Sequence, residues 1–185
     1  MFSIQYLTND NYRIADREYK INASFDNILR LLDLFDDRTT PDYMKIDIAL
    51  QMLLDDPLEH LEYAVKYKIV SNILKRYLDN EQEVLIDIAG NVIDLPTPDK
   101  EQVIDFNVDA ELIYSAFMQA YGIDLIDEQG KLHWLKFRAL LHGLPTETRL
   151  MEIIGYRSWT ESTKSMKQIM REQKQKYRLK GGNNG

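Results

Sequence analysis

The chain contains no cysteine, which excludes disulfides, thiolate nucleophiles and the commonest structural zinc sites together and fits a reducing compartment. Glycine and proline are scarce, with 8 and 5 among 185 residues. That is too little turn chemistry for many short strands, and the long stretches free of both residues favour helices. No apolar run approaches the ~20 residues that span a bilayer. The opening MFSIQYLTNDNYR has neither the basic start nor the apolar stretch of a signal peptide, so a soluble protein is the expectation. Motifs are missing as well. No G-x-S-x-G, G-x-x-x-x-G-K, G-x-G-x-x-G or H-E-x-x-H occurs, which leaves hydrolysis, phosphate binding, dinucleotide binding and zinc proteolysis without their usual signatures.

What is present is a globular composition, 44% hydrophobic and 29% charged, at a length that makes one full core or two small ones. The charge is polarised. Between Lys164 and Lys180 seven bases face Glu172 alone, a local +6, which leaves −13 for the rest of a chain whose formal net charge is −7. An acidic body with a basic tail points to a tail that meets an acidic partner or docks on its own body.

Apolar spacing predicts the elements. Tyr12, Ile14, Tyr19 and Ile21, on either side of Ala15–Glu18, read as a small hairpin, which needs a helix to lie on. The next segment is expected to supply it, with Ser24 as N-cap and Phe25, Ile28, Leu29, Leu32 and Phe35 on one stripe. Thr40-Pro41 reads as a cap followed by a first-turn proline, before a broad face of Met44, Ile46, Ile48, Ala49, Leu50, Met52 and Leu53. Asp56-Pro57 repeats the device and opens a helix with a ladder of Leu61, Val65, Ile69 and Ile73, widened by Val70, Leu74 and Tyr77.

From Asp79 to Asp109 nine acidic residues face Lys100 alone, and Pro96 and Pro98 interrupt the run. This reads either as a linker or as an irregular, short-stranded segment built on Val84–Ile88 and Val92–Leu95. Helical patterning returns with AELIYSAFMQAY, stopped by Gly122. Leu132–His142 follows, closed by Gly143 and Pro145, and Thr146 caps a short helix carrying Leu150, Ile153 and Ile154 up to Gly155. Thr160 or Ser162 would cap a last, basic helix through Met166, Ile169, Met170 and Tyr177, and GGNNG reads as a flexible tail. The expected class is mainly α: a helical bundle with a small N-terminal β-hairpin and an acidic connector. Its segments are 1–80, 81–108, 109–160, 161–180 and 181–185, within one domain or two.

Chemistry-bearing constellations are weak. Asp124, Asp127, Glu128 and Gly130 hint at a calcium loop, but an EF-hand needs glycine at its sixth position. That register puts Leu125 first and Lys136 twelfth. A polar turn with Gly130 in a left-handed conformation is the better reading. His133 and His142 cannot pair as metal ligands four residues apart on a helix, and His60 stands alone. Asp36-Asp37 and Asp55-Asp56 sit at expected helix ends, where carboxylates cap amides. No catalytic, cofactor-binding or metal residue is assigned.

Trp134, Phe137, Tyr156 and Trp159 resemble an aromatic platform, although helix packing explains such spacing more often. Trp159, beside Arg157, is the best candidate for exposure. In the basic helix, Met166, Ile169 and Met170 offer adaptable anchors and Lys167, Arg171 and Lys174 would steer it to an acidic protein surface. A dedicated DNA binder would carry a basic body too, so nucleic acid is disfavoured. These eleven residues form the candidate partner-binding set.

The run DAELIYSAFMQAYGIDLIDEQGKLHWLKFRALLHGLP, followed by EIIGYRSW and a lysine-rich end, resembles the "gene product fifteen" family of tailed phages and prophages of Gram-positive bacteria. The pattern is carried by Tyr114, Phe117, Gln119–Leu125, Trp134, Lys136, Phe137, Leu140, Leu141, Gly143–Pro145, Tyr156 and Arg157. None of these is a catalytic motif. The resemblance implies a place in tail morphogenesis near the tape-measure gene, and with it a non-enzymatic assembly chaperone in the host cytoplasm, without cofactors. Its implied partner is the tape-measure protein or another helical tail protein, with self-association left open. A structural tail or adaptor subunit is the near alternative, and a nucleic-acid-binding or host-regulating protein the distant one.

Overall fold

Alternating side chains in NYRI and REYK fold as the expected hairpin: β1 (Asn11–Ile14) pairs antiparallel with β2 (Arg17–Lys20), Tyr12 opposite Tyr19. The computed structural model describes residues 9–78, 85–86, 92–93, 103–158 and 167–179, and among them the architecture is mainly α, with seven helices. The chain divides into two compact units, Met1–Leu95 with Gln129–Arg138, and Pro96–Glu128 with Ala139–Gly185.

In the first unit, α1 (Phe25–Asp36), α2 (Asp42–Leu54) and α3 (Tyr63–Leu78) pack in sequence. The expected stripes supply much of the core, with Ile28, Leu50, Leu53 and Ile73 fully buried, but on α1 Leu31, outside the expected stripe, is fully buried while Leu29, Leu32 and Phe35 are half-buried. Three local expectations are corrected, and that for Ser24 is met in position alone. The hairpin is bonded to α3, where Arg76 Nη1 donates to the Asn11 carbonyl and Tyr77 Oη to Asp10 just ahead of β1, and to Asp56 through Arg17, rather than to the helix next in sequence. Ser24 stands at the N-cap of α1, but its hydroxyl donates to Asn22. Pro41, not Thr40, occupies the cap position of α2, and the Thr40 hydroxyl donates to Asp37 instead. Asp56-Pro57 does not open α3, which starts at Tyr63.

The delay has a physical cause. Asp56 Oδ1 accepts the Leu58 amide across the proline, and Leu58 adopts φ 53°, which a leucine tolerates only where its surroundings hold it. Its side chain is fully buried. The turn therefore delivers Leu58 to the core at the expense of the first predicted helical turn, and Val65 is left 43% exposed.

Residues 129–138 close this unit. The Phe25 amide donates to the Leu132 carbonyl and the Trp134 amide to the Ala23 carbonyl, making an antiparallel bridge. Leu132 and His133 are thus drawn out of the expected helix, and α5 (Trp134–His142) begins two residues late. His133 Nδ1 accepts the Leu135 amide, so its proton lies on Nε2, which donates to Asp10 Oδ1 at 3.1 Å. The Tyr77 carbonyl, in the last turn of α3, receives both Trp134 Nε1 and Arg138 Nη1. Stacking of Phe137 on Phe25, with centroids 4.9 Å apart, completes the closure.

In the acidic stretch, β3 (Leu85–Ile86) pairs antiparallel with β4 (Val92–Ile93), so the short-stranded reading holds for these residues. The second unit holds α4 (Ala110–Tyr121), residues 139–142 of α5, α6 (Arg149–Ser158) and α7 (Lys167–Tyr177). Phe117 and Leu150 are fully buried there, beside Ile113 and Ile153. Gly122 ends α4 in a left-handed conformation, φ 64°, as Gly130 does the later turn at φ 72°. Thr148 rather than Thr146 starts α6: it is buried, and its Oγ1 accepts the Met151 amide. Gly155 lies inside that helix, which runs on to Ser158. The proposed caps Thr160 and Ser162 and the GGNNG end lie outside the described residues.

Asp26 supplies a testable joint. Burial pushes its carboxyl up, but the Gly130 amide at 2.8 Å and the Arg30 guanidinium hold it below the ordinary carboxylate range. A depressed folded-state value contributes stability above the unfolded value, about 3.9, and loses it as pH falls through the folded one. Asp26→Asn is expected to lose about 1 kcal/mol at neutral pH. In thermal melts the gap from the unsubstituted protein should narrow as pH falls below the unfolded value and close once it passes the depressed folded-state one.

Candidate protein-binding surfaces

Arg157 makes four side-chain hydrogen bonds within the second unit. From α6 its guanidinium meets Asp109 through Nη1 at 2.6 Å and Nη2 at 2.9 Å, while Nη1 also reaches the Val103 carbonyl and Nε the Tyr177 carbonyl. Both side chains of the pair are buried. Asp109 stands at the N-cap of α4 but makes no side-chain cap, because its carboxylate is committed to Arg157 and to the Asp105 amide. A planar fork against a carboxylate fixes distance and orientation together. One residue therefore ties the approach to α4, α6 and the end of α7.

Around it Tyr156 stacks on Tyr177, with centroids 5.9 Å apart, and donates to Glu152, which Arg149 also holds. The Tyr156 and Arg149 bonds keep the Glu152 carboxyl below its ordinary value. The half-buried side of α7 is Met170, Gln173, Lys174 and Tyr177, at helical spacings of three and four. Ile169, 58% exposed, and Lys176 lie seven residues apart on its outer side.

The candidate residues thus separate. Trp134 and Phe137 are buried, so neither offers a surface. Arg157 is internal, and Tyr156 is half-buried and stacked within its unit. Ile169, Met170, Arg171 and Lys174 lie on α7, and Lys167 is its first residue. Trp159 and Met166 lie outside the described residues.

A surface that sequence spacing did not single out occurs on the first unit. Helix α2 buries Ile46, Ala49, Leu50 and Leu53, yet it also presents Tyr43, 60% exposed, Met44 and Ile48. On α3 Tyr63 and Val65 are exposed, and Tyr63 lies beside Tyr67. Burial raises the Tyr63 phenol, and the charges of Asp42 and Asp47 raise it further, which puts this pair of tyrosines against the carboxylates of α2. Asp47 binds Lys66 of α3 at 2.8 Å and joins the helices. The signal was present, since Met44, Ile48 and Met52 repeat at four-residue steps. It merged with the core stripe because α2 is apolar on more than one side.

Compared with family models, residues 7–179 match that of the bacteriophage Gp15 protein. The chain belongs to that family. No curated protein and no solved structure matches it. The residues that carried the family pattern are joints of the Gp15 fold as this chain builds it. Tyr114 Oη donates to Asp124, Tyr121 Oη to the Leu140 carbonyl, Gly122 ends α4, Phe137 stacks on Phe25, and Arg157 holds Asp109. They specify an architecture. Among the described residues no group of three or more His, Asp and Glu could hold a metal ion, and no helix is long and apolar enough to cross a membrane.

Removing one partner of the buried pair leaves the other charge uncompensated. Asp109→Asn is expected to cost about 3–5 kcal/mol, and Arg157→Lys nearly as much, because an ammonium cannot reproduce the fork. Urea unfolding measures both, and a loss under about 1 kcal/mol for either would contradict this role.

Proposed function

We propose that this Gp15-family chain is a non-enzymatic tail assembly chaperone that keeps the tape-measure protein soluble until tail-tube subunits enclose it. The observation that carries the reading is the face of α2 and α3, where Tyr43, Met44, Ile48, Tyr63 and Val65 are exposed beside the carboxylates of α2. A tape-measure protein is a long helical chain whose apolar faces would aggregate if left bare. A helix lies in an apolar groove through side chains one turn apart, and Met44 with Ile48 offers that spacing. Methionine and tyrosine adapt to varied apolar partners. The surrounding carboxylates keep the loaded chaperone dissolved and favour client segments with basic flanks.

Assembly also requires release. Tube subunits displace the chaperone, so each contact is weak, and retention comes from many copies along one client. An acidic first unit repels phosphate backbones, which weighs against a nucleic-acid function. Family membership fits a structural tail subunit as well, and purified virions separate the two, because a chaperone is absent from them and a subunit is present in fixed number.

Co-expression with the tape-measure protein tests the reading. The intact chain is expected to raise the soluble fraction of the client at least severalfold and to co-purify with it. The double substitution Tyr43→Asp, Ile48→Asp should lose most of that effect while melting normally, since both side chains are exposed. Equal solubilisation by this variant would move the site elsewhere, and no association with the intact chain would sink the proposal.

A further inference from the structure

The chain carries two surfaces of opposite charge, each with an apolar centre. Between Asp33 and Glu62 nine acidic residues face Arg38 and Lys45 alone, a net −7. Lys45 is buried, its Nζ donating to the Phe35 carbonyl at the end of α1 and lying 4.0 Å from Asp42 Oδ1, so it offsets part of that charge from beneath. The side chain of Asp42 is 92% exposed, beside the exposed Tyr43, Met44 and Ile48. On α7 the pattern inverts. Lys167–Arg178 carries five bases against Glu172, a net +4, and its outer side displays Ile169 and Lys176.

We propose that the outer side of α7 in one copy docks on the acidic, apolar face of α2 in a second copy. Ile169 seats among Tyr43, Met44 and Ile48, and Lys176 and Arg178 meet the carboxylates around Asp42. Apolar centres with rims of opposite charge are what a specific contact between proteins requires, and the rim charges set orientation and association rate. Every copy owns both halves, so the occupant is present wherever the protein is. Helix α7 keeps its Tyr177–Tyr156 stack in the process, because Ile169 sits about 80° round the helix from Tyr177 and is exposed, while Lys176, whose Nζ lies 5.3 Å from the Tyr177 ring, turns from it to the partner copy.

The symmetry of the contact follows from its chemistry. A basic helix on an acidic face is heterologous, and such contacts do not close at two copies unless the rotation makes a ring. Each added copy leaves one arm and one face unused at the ends. Mass therefore grows with concentration without stopping at a dimer, and salt opposes it, since charges beyond ~8 Å are screened at physiological ionic strength.

Sedimentation of the isolated, full-length protein tests this without any client, so the result is separate from the chaperone reading. The weight-average mass of the intact chain is expected to rise from 21.8 kDa past twice that value as concentration increases, and to fall back when salt is raised to about 1 M. An arm variant, Ile169→Asp with Lys176→Glu, and a face variant, Ile48→Asp with Asp42→Lys, should each stay at one copy. Mixed together, they should pair through the one intact arm and the one intact face, reach two copies and go no further. Should the face variant fail to fold by circular dichroism, Tyr43→Lys replaces it. A chain that stays at one copy at every concentration would overturn the proposal and leave the arm to its own body or a foreign partner. Self-association that survives in the arm variant, or a mixture that does not pair, would equally overturn it.

Discussion

A buried polar group must find a partner, and both units are organised around meeting that demand at one place. Among the described residues no buried side-chain nitrogen or oxygen lacks a hydrogen bond. In the first unit the demand converges on Asp10 and the Tyr77 carbonyl. The former accepts Tyr77 and His133, the latter Trp134 and Arg138. Burial and the Asp10 bond push the Tyr77 phenol well above its ordinary value, so it remains a donor throughout the physiological range. In the second unit the demand converges on Asp109 and Arg157. Apolar stripes bring helices together, but they leave sliding and rotation cheap. These polar junctions accept only one arrangement, and so they set where the exposed faces lie.

The helices were legible because their stripes repeat. Ile28, Ile73, Ile113, Phe117 and Ile153 occupy the core positions that spacing predicts. The junctions were not legible, because each is a single pairing between residues far apart in sequence. Asp109 follows eight other acids in a stretch that reads as solvated connector, and nothing local separates it from Asp105. Its burial depends on Arg157, forty-eight positions away. Leu132 and His133 extend a good helical pattern, yet backbone pairing with Ala23 and Phe25 outweighs two residues of helix propensity. Leu58 was invisible for a related reason: proline marks a helix start in general, and only the turn made by Asp56 decides that the chain bends first.

The candidate surfaces divide along the same line. The basic helix was visible as a charge run, and α7 forms where the pattern placed it, with Ile169 outward. Tyr156 and Arg157 were visible as unusual residues, but such residues serve interiors as readily as surfaces. A guanidinium with four bonds inside its own unit has little left for a partner. The α2 face was hidden by abundance. When most of a helix is apolar, spacing alone cannot say which side the neighbours take, and here Lys45 and Ile46 went inward while Met44 and Ile48 stayed out.

An exposed apolar face in an abundant protein is a liability unless something covers it reversibly. On the proposed arrangement α7 of a neighbouring copy is that cover, and its affinity has two bounds. It must be strong enough to suppress non-specific association, and weak enough for a client to displace it. A client with many sites holds its second and later copies at high effective concentration, whereas one arm competes at a single face. Displacement then needs no tighter contact for the client than for the arm. On the chaperone reading avidity alone would shift the exchange, and the same acidic rim would serve both occupants. The polarised charge of the chain, basic at one end and acidic elsewhere, is what makes a weak cover specific for its own kind.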